Sequence, residues 1–405
     1  MKKGTPTLTE RAAPRGAPDM SGLQPEMRRT GFGRLRSTAT LVATIAVIAL
    51  LAGVFALLRA PAGTGQTPGG QPTVRFDLPP NSQLSAVSMD SQNDGWAVGT
   101  VNSKPNGMGG PKNALLAHFD GKAWTTSPNS ANFPFGQLIS VSMVSASEGW
   151  AAGSTQTAPD APIQGLLLHY TGGHWRAVDI SNLGFMGGGQ LTMRSANDGW
   201  LVAQVGPKSS ADRTTLVLHY HDGAWSRFTS LPGPDLVSML SATDGWAADQ
   251  IHHTILRYQN GAWKQMATAP AQPLAMTIAS PSDVWLGGFN SDTQDSFVMH
   301  YDGQIWMQMA LPNAAYSEVD QMASVAPGDV WIFGRSHTDT QAAPTIAWHY
   351  SGVHWALVSL NFQAYPTGAS MISTTSGWIT GNAANNTAAL LRYNDGVWID
   401  PYYGK

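Results

Sequence analysis

The chain has 405 residues, is 42% hydrophobic and only 12% charged, and carries a formal net charge of −3. It contains no cysteine, which excludes disulfides, thiolate metal centres and a cysteine nucleophile. The charge is unevenly divided. Residues 1–36 hold eight Lys or Arg against three acids, a net of +5, whereas residues 60–405 hold 14 basic and 23 acidic side chains, a net of −9. An acidic body of that size has no general attraction for nucleic acid or anionic lipid.

In chain order, residues 1–36 contain Pro, Gly and Arg without a helical period and read as a disordered basic tail. Residues 37–59 are predicted to be a transmembrane signal-anchor helix. Ser37 to Leu58 carries no charge and, at about 1.5 Å per residue, reaches roughly 33 Å. Arg28, Arg29, Arg34 and Arg36 precede the segment and Arg59 alone follows it. That imbalance places the tail in the cytoplasm and everything after the span outside the cell membrane. A cleaved signal peptide ending near Ala60-Pro61-Ala62 is the alternative, disfavoured by the length of both the basic region and the apolar run. Residues 60–72, with Gly63, Gly65, Gly69 and Gly70, read as a flexible stalk.

Residues 73–405 are dominated by repetition. One tryptophan recurs at Trp96, Trp150, Trp200, Trp246, Trp285, Trp331 and Trp378, and a second at Trp124, Trp175, Trp225, Trp263, Trp306, Trp355 and Trp398. The first set recurs every 39 to 54 residues, near the blade length of a β-propeller. The third unit shows how one repeat makes a sheet. Leu191-Thr192-Met193 is a predicted strand A, Ser195 to Asp198 a turn, and Gly199 to Ala203 strand B. Leu216 to Tyr220 is strand C, Asp222-Gly223 a hairpin turn, and Trp225 to Phe228 strand D. The expected fold is therefore all-β: a seven-bladed propeller of four-stranded antiparallel blades, preceded by one transmembrane helix. Short A–B and C–D turns share one face of the disc. The longer B–C and D–A connections share the other, which marks it as the binding face. Residues 73–78 read as an extra outer strand that pairs with the last blade and helps to latch the ring, with ordinary blade packing as the alternative.

Strand B ends in glycine in several units, as in Ala97-Val98-Gly99, Ala151-Ala152-Gly153, Leu286-Gly287-Gly288 and Ile332-Phe333-Gly334, and an aromatic-then-Trp step follows. This resembles kelch-type propeller repeats. Asp94-Gly95-Trp96-Ala97-Val98-Gly99 taken with Phe119-Asp120-Gly121-Lys122-Ala123-Trp124 also resembles the BNR (Asp-box) repeats of photosystem II assembly-factor-like propellers. The resemblance covers residues 81–402 and implies the fold; propellers host many unrelated activities.

An acid ahead of strand B and a base ahead of the strand C aromatic recur together. They are Asp94 with His118, Glu148 with His169, Asp198 with His219, Asp244 with Arg257, Asp283 with His300, and Asp329 with His349; the seventh unit has Ser376 and Arg392. These are expected to be structural contacts, one per blade, and no metal or other cofactor is expected. Adjacent His252-His253 with Asp249 is read as solvated loop. Trp348 falls in the apolar column of Leu168, Leu218 and Met299 and is read as core. On the long-loop face, Phe133, Phe135, Phe185, Tyr316, Arg335 and His337 are the candidate ligand-binding residues, with Phe362 and Tyr365 nearby in kind. Aromatics with scattered polar groups suit a protein, peptide or glycan partner bound by a monomeric propeller. No acid pair, Ser-His-Asp set or phosphate loop stands at a readable spacing. The alternative is a carbohydrate-active hydrolase or lyase at the pore mouth, which needs charged side chains from three or more blades to converge.

Overall fold

The computed structural model describes residues 74–102, 104, 111–158, 161–205, 214–233, 236–337, 345–360, 362–383, 385 and 387–400. The chain divides into two compact units, Met1–Gly69 and Gly70–Lys405, and all described residues belong to the second. No helix among them is long and apolar enough to cross a membrane; the tail, the expected span at 37–59 and the stalk at 60–72 lie outside the described residues.

Among the described residues the strands form seven sheets. The first holds β1 (Arg75–Asp77), β2 (Ser82–Ser91), β3 (Asp94–Asn102), β4 (Lys112–Phe119) and β5 (Ala123–Thr126), in the order β1-β5-β4-β3-β2. The other six are four-stranded antiparallel meanders, each built from one stretch of chain. The strands of every blade are called A to D below, β2 to β5 being those of the first. Strand B is buried on both faces, as in Asp94–Asn102 and Glu148–Thr155. This is why the repeats read as apolar runs rather than alternations.

The tryptophans join neighbouring blades. The strand B tryptophan of one blade meets the strand D tryptophan of the next edge to face: Trp96–Trp175 at 5.2 Å and 84°, Trp150–Trp225 at 5.4 Å and 83°, Trp246–Trp306 at 5.2 Å and 85°. Trp285–Trp355 and Trp331–Trp398 repeat the contact. Between the third and fourth blades Phe228 intervenes, 4.9 Å from Trp200 and 5.3 Å from Tyr258. Edge-to-face packing aligns a positive ring edge with a negative ring face, and each indole buries some 150–250 Å². Trp348 is fully buried, and its indole N–H donates to the Pro312 carbonyl at 2.7 Å.

Ring closure corrects one expectation. Strand β1 does not pair with the last blade. It runs parallel to β5, with Arg75 opposite Ala123 and Asp77 opposite Thr125, and widens the first blade to five strands. Val74, Phe76 and Leu78 turn into the core that holds Trp124 and Trp378. A three-residue strand finds this edge because alternate apolar residues are enough to seat it. The ring closes by the blade-to-blade contact used elsewhere. Trp378 meets Trp124 at 5.4 Å and 85°. Ser370 Oγ accepts from the Met89 N–H at 3.0 Å, as Ser88 does from Met143 and Ser142 from Met193, both at 2.9 Å. The Asn382 side-chain amide adds two bonds to the Leu84 backbone, each 2.9 Å.

Strand A is bulged where it lines the centre. In five blades one residue is inserted opposite strand B: Ser85, Ile139, Leu274, Asp320 and Thr367. The residue facing each bulge is glycine, at 99, 153, 288, 334 and 381. A Cβ at Gly153 would lie 1.9 Å from the Gln137 carbonyl oxygen, so no side chain fits there. The third and fourth blades lack this bulge and carry Ala203 and Asp249 in the glycine column.

Candidate functional site

The inner strands surround a central cavity of about 440 Å³. Ser85, Ile139, Gly189, Gln190, Gln321 and Thr367 contribute to its wall, and most of the lining offers hydroxyls, an amide or bare backbone. Four of those residues, Ser85, Ile139, Gln321 and Thr367, stand at or beside the strand A bulges, so the irregularity in the sheet shapes the cavity wall.

One charged cluster stands on the sixth blade. Glu318 and Asp320 lie on strand A, Ser317–Ala326, and Arg335 and His337 at and just beyond the end of strand B, Asp329–Ser336. Glu318 is paired with Arg335 in register. The bulge inserts Asp320 and brings a second carboxylate to the same guanidinium. Arg335 donates from Nε and Nη2 to the two Asp320 oxygens, each at 2.9 Å, and Nη2 also abuts the Glu318 carboxylate. His337 Nε2 is 3.3 Å from the other Glu318 oxygen. Tyr365 of the seventh blade lies under the guanidinium at 5.2 Å, and Phe289 of the fifth is 5.4 Å from the His337 ring. Burial alone pushes the Asp320 carboxyl up to about 7. The guanidinium fork favours the charged form, so the pair stands as carboxylate and cation. Burial, and after it the Arg335 charge, holds His337 below the ordinary imidazole value, so its ring is neutral at pH 7. Two carboxylates then face one cation, and the cluster is negative on balance.

The candidate aromatics divide. Tyr316 and Tyr365 are exposed, by 56% and 41%. Tyr316 takes a left-handed φ of 53°, and its carbonyl accepts from the His337 N–H at 2.6 Å. The backbone thereby ties two candidate residues together. Phe135 also has positive φ, 56°; its N–H donates to the Asn113 side chain and its carbonyl accepts from Gln156. Phe133 packs against the core shared by the first two blades, and Phe185 and Phe362 are buried. Those three anchor loops from beneath. The structure thus brings Tyr316, Arg335 and His337 together and sets Phe133, Phe135 and Phe185 elsewhere, between the first three blades. The sequence reading missed Glu318, Asp320 and the bulge that assembles them; two acids two residues apart opposite Arg335 were the available signal.

The recurrent acid and base meet in six blades. His118 is 3.3 Å from Asp94, His169 is 2.5 Å from Glu148, and His219 is 2.6 Å from Asp198. His300 and His349 lie 2.9 Å from Asp283 and Asp329, and Arg257 holds Asp244 with a fork of 3.0 and 2.9 Å. Each base also covers its own blade's first tryptophan: the His169, His219, His300 and His349 rings stack on it at 3.9–4.1 Å. In the seventh blade Arg392 lies over Trp378 and donates to the Gln92 carbonyl of the first. Such partly exposed pairs contribute on the order of 1 kcal/mol or less. Asp249 is buried and accepts from the Ile251 and His252 N–H groups and from His252 Nδ1. Burial acts to raise its carboxyl, but those bonds prevail and hold it below the usual range.

These features define a seven-bladed β-propeller with a polar central cavity and an aromatic, acidic cluster beside it. No protein-family model matches the chain, and no curated protein matches it. Solved structures do match in fold. YCF48 bound to D1 peptide shares 17% identity, with a TM-score of 0.55 over 83% of this chain and 99% of that one. The propeller domain of the Trilobed protease from Pyrococcus furiosus, described as having an open velcro topology, shares 9% identity with a TM-score of 0.53 over 80% and 98%. The GH74 xyloglucanase from Xanthomonas campestris shares 12% identity with a TM-score of 0.53; the match covers 79% of this chain but 54% of the enzyme.

Proposed function

We propose that this chain is a binding propeller, held to the cell membrane by residues 37–59 with its blades outside, that takes an extended peptide segment of a partner protein on its long-loop face. The carrying observation is the Glu318–Asp320–Arg335–His337 cluster, flanked by the exposed rings of Tyr316 and Tyr365. Its surplus carboxylate charge suits a basic side chain, and the tyrosines add flat apolar contact of the kind that anchors a peptide. A neighbour of the same fold is known with a peptide bound. The described charged side chains of the cluster come from one blade, whereas a hydrolase or lyase needs acids and bases from several. The repeat itself we place with kelch-type and BNR-type units, on its strand B glycines and its Asp-Gly turns.

Peptide and glycan arrays probed with the full-length chain in detergent test this reading. Basic peptides should be retained, and Tyr365→Ala should weaken retention about tenfold or more while leaving the melting temperature unchanged. Retention equal in the variant, or cleavage of a glycan, would overturn it.

A further inference from the structure

The third blade departs from the other six at one position on its short-turn face. Two residues after the repeated base, the other blades carry Asp120, Thr171, Gln259, Asp302, Ser351 and Asn394. In two of them this side chain closes the C–D turn: Asp120 accepts from the Lys122 and Ala123 N–H groups, and Asp302 from Gln304 and Ile305. The third blade has His221 instead. Its turn, Asp222-Gly223, has φ of 49° and 80°, the conformation in which a two-residue hairpin forms without such a cap. The same positive-φ pair follows Thr171, Gln259 and Asn394, so His221, like them, is not needed to close its turn, and it alone in the column is a metal-ligating imidazole.

What it does join is the acid–histidine pair. Residues i and i+2 of a strand share a face, so His221 stands beside His219, ring to ring at 5.4 Å and 19°. Asp198, across the hairpin, is the register partner of His221 and lies 2.6 Å from His219 Nε2. One donor atom from each of Asp198, His219 and His221 falls within a 4.8 Å span. The Asp222 carboxylate is 3.3 Å from His221 Nε2. His219 is fixed on Trp200 at 3.9 Å, while the His221 side chain is 62% exposed.

We propose that Asp198, His219 and His221 form a zinc(II) site. Two imidazoles and a carboxylate are a common zinc donor set, and tetrahedral bonds of about 2.0–2.2 Å place donors roughly 3.3 Å apart. The Asp198–His219 contact opens by a fraction of an ångström to admit the ion, and the exposed His221 swings in. The fourth position falls to water or to Asp222. The site lies among the short turns, away from the long-loop face, so it is independent of the peptide-binding reading. A bound ion would pin strand B to strand C at the rim of one blade.

The test is titration of the chelator-treated full-length chain with zinc chloride, followed by calorimetry and by competition with a chromophoric chelator. One saturable equivalent is expected, together with a rise in melting temperature. His221→Asn should weaken uptake by at least about tenfold, the loss that even an outer-shell change brings, without altering the metal-free melting temperature. His252→Asn, in a separate loop, should leave zinc uptake unchanged. Thr171→His in the second blade, where Glu148 and His169 hold the same register, should add a second equivalent. No saturable uptake by the wild type, or uptake undiminished in His221→Asn, overturns the proposal; failure of Thr171→His to add an equivalent defeats its geometrical basis.

Discussion

At the scale of the residue, the fifth blade makes the most of the repeated acid. Asp283 is buried and accepts from His300 at 2.9 Å, from the Gly328 N–H at 2.6 Å and from the Trp285 indole at 2.5 Å. Burial acts to raise its carboxyl, yet those bonds and the His300 charge hold it below the usual carboxylate range. A depressed folded value means that the stabilisation is full above the unfolded value near 4 and is lost as pH falls through the folded value. Asp283→Asn should therefore cost about 2 kcal/mol at pH 7, and the gap to wild type should narrow only below about pH 4. Chemical denaturation of both proteins across pH 2–7 measures this; a constant gap would show the charge to be irrelevant. The acid column was legible because it repeats. The threefold set around Asp283 was not, since its Gly328 partner belongs to the next blade, 45 residues away. His221 was legible in principle as the odd member of its column, but five histidines one register earlier are the louder pattern.

At the scale of the element, the bulge and its glycine form one unit. The Gly153 site leaves 1.9 Å between a new Cβ and the Gln137 oxygen, so Gly153→Ala must push strand A aside, at a cost of roughly 1–3 kcal/mol. The third blade, with Ala203 and no bulge at this level, suggests the remedy. Deleting Ile139 removes the inserted residue, and the double variant Gly153→Ala with Ile139 deleted should be more stable than Gly153→Ala alone in thermal unfolding. An additive result would separate the two features. Strand glycines were visible in the sequence as a repeat mark. Their physical partner was not, because an inserted residue in strand A has no composition of its own: Ser85, Ile139, Leu274, Asp320 and Thr367 share nothing. The acids at 318 and 320 were visible as a pair, but for the same reason the bulge that carries Asp320 to Arg335 was not. The parallel placement of β1 was equally hidden, since alternate apolar residues mark a strand without marking which edge it takes.

At the scale of the whole molecule, the seam between the last blade and the first resembles any other. Seven blades and their order could be read from fourteen tryptophans because at six of the seven seams those residues are the inter-blade contact itself. If the seam is ordinary, Trp378→Ala and Trp150→Ala should each cost about 3–5 kcal/mol and lower the melting temperature by similar amounts. Removal of residues 74–78 should cost less than either, as it strips an outer strand and leaves Trp378–Trp124 in place. A far larger loss from Trp378→Ala, or collapse on removal of β1, would mean that the seam depends on a special fastening.

The sheets raise a further point about ancestry and redesign. Each of the six later blades begins and ends within a single span of chain, so a cut at any D–A connection leaves every one of them whole. A rearranged gene that starts at the second blade and finishes with the first would encode the same interfaces in a different reading order, and an eighth copy could be spliced in at those points without dividing a hairpin. Growth and reshuffling by whole modules is open to this architecture in a way denied to rings whose first and last strands share one sheet.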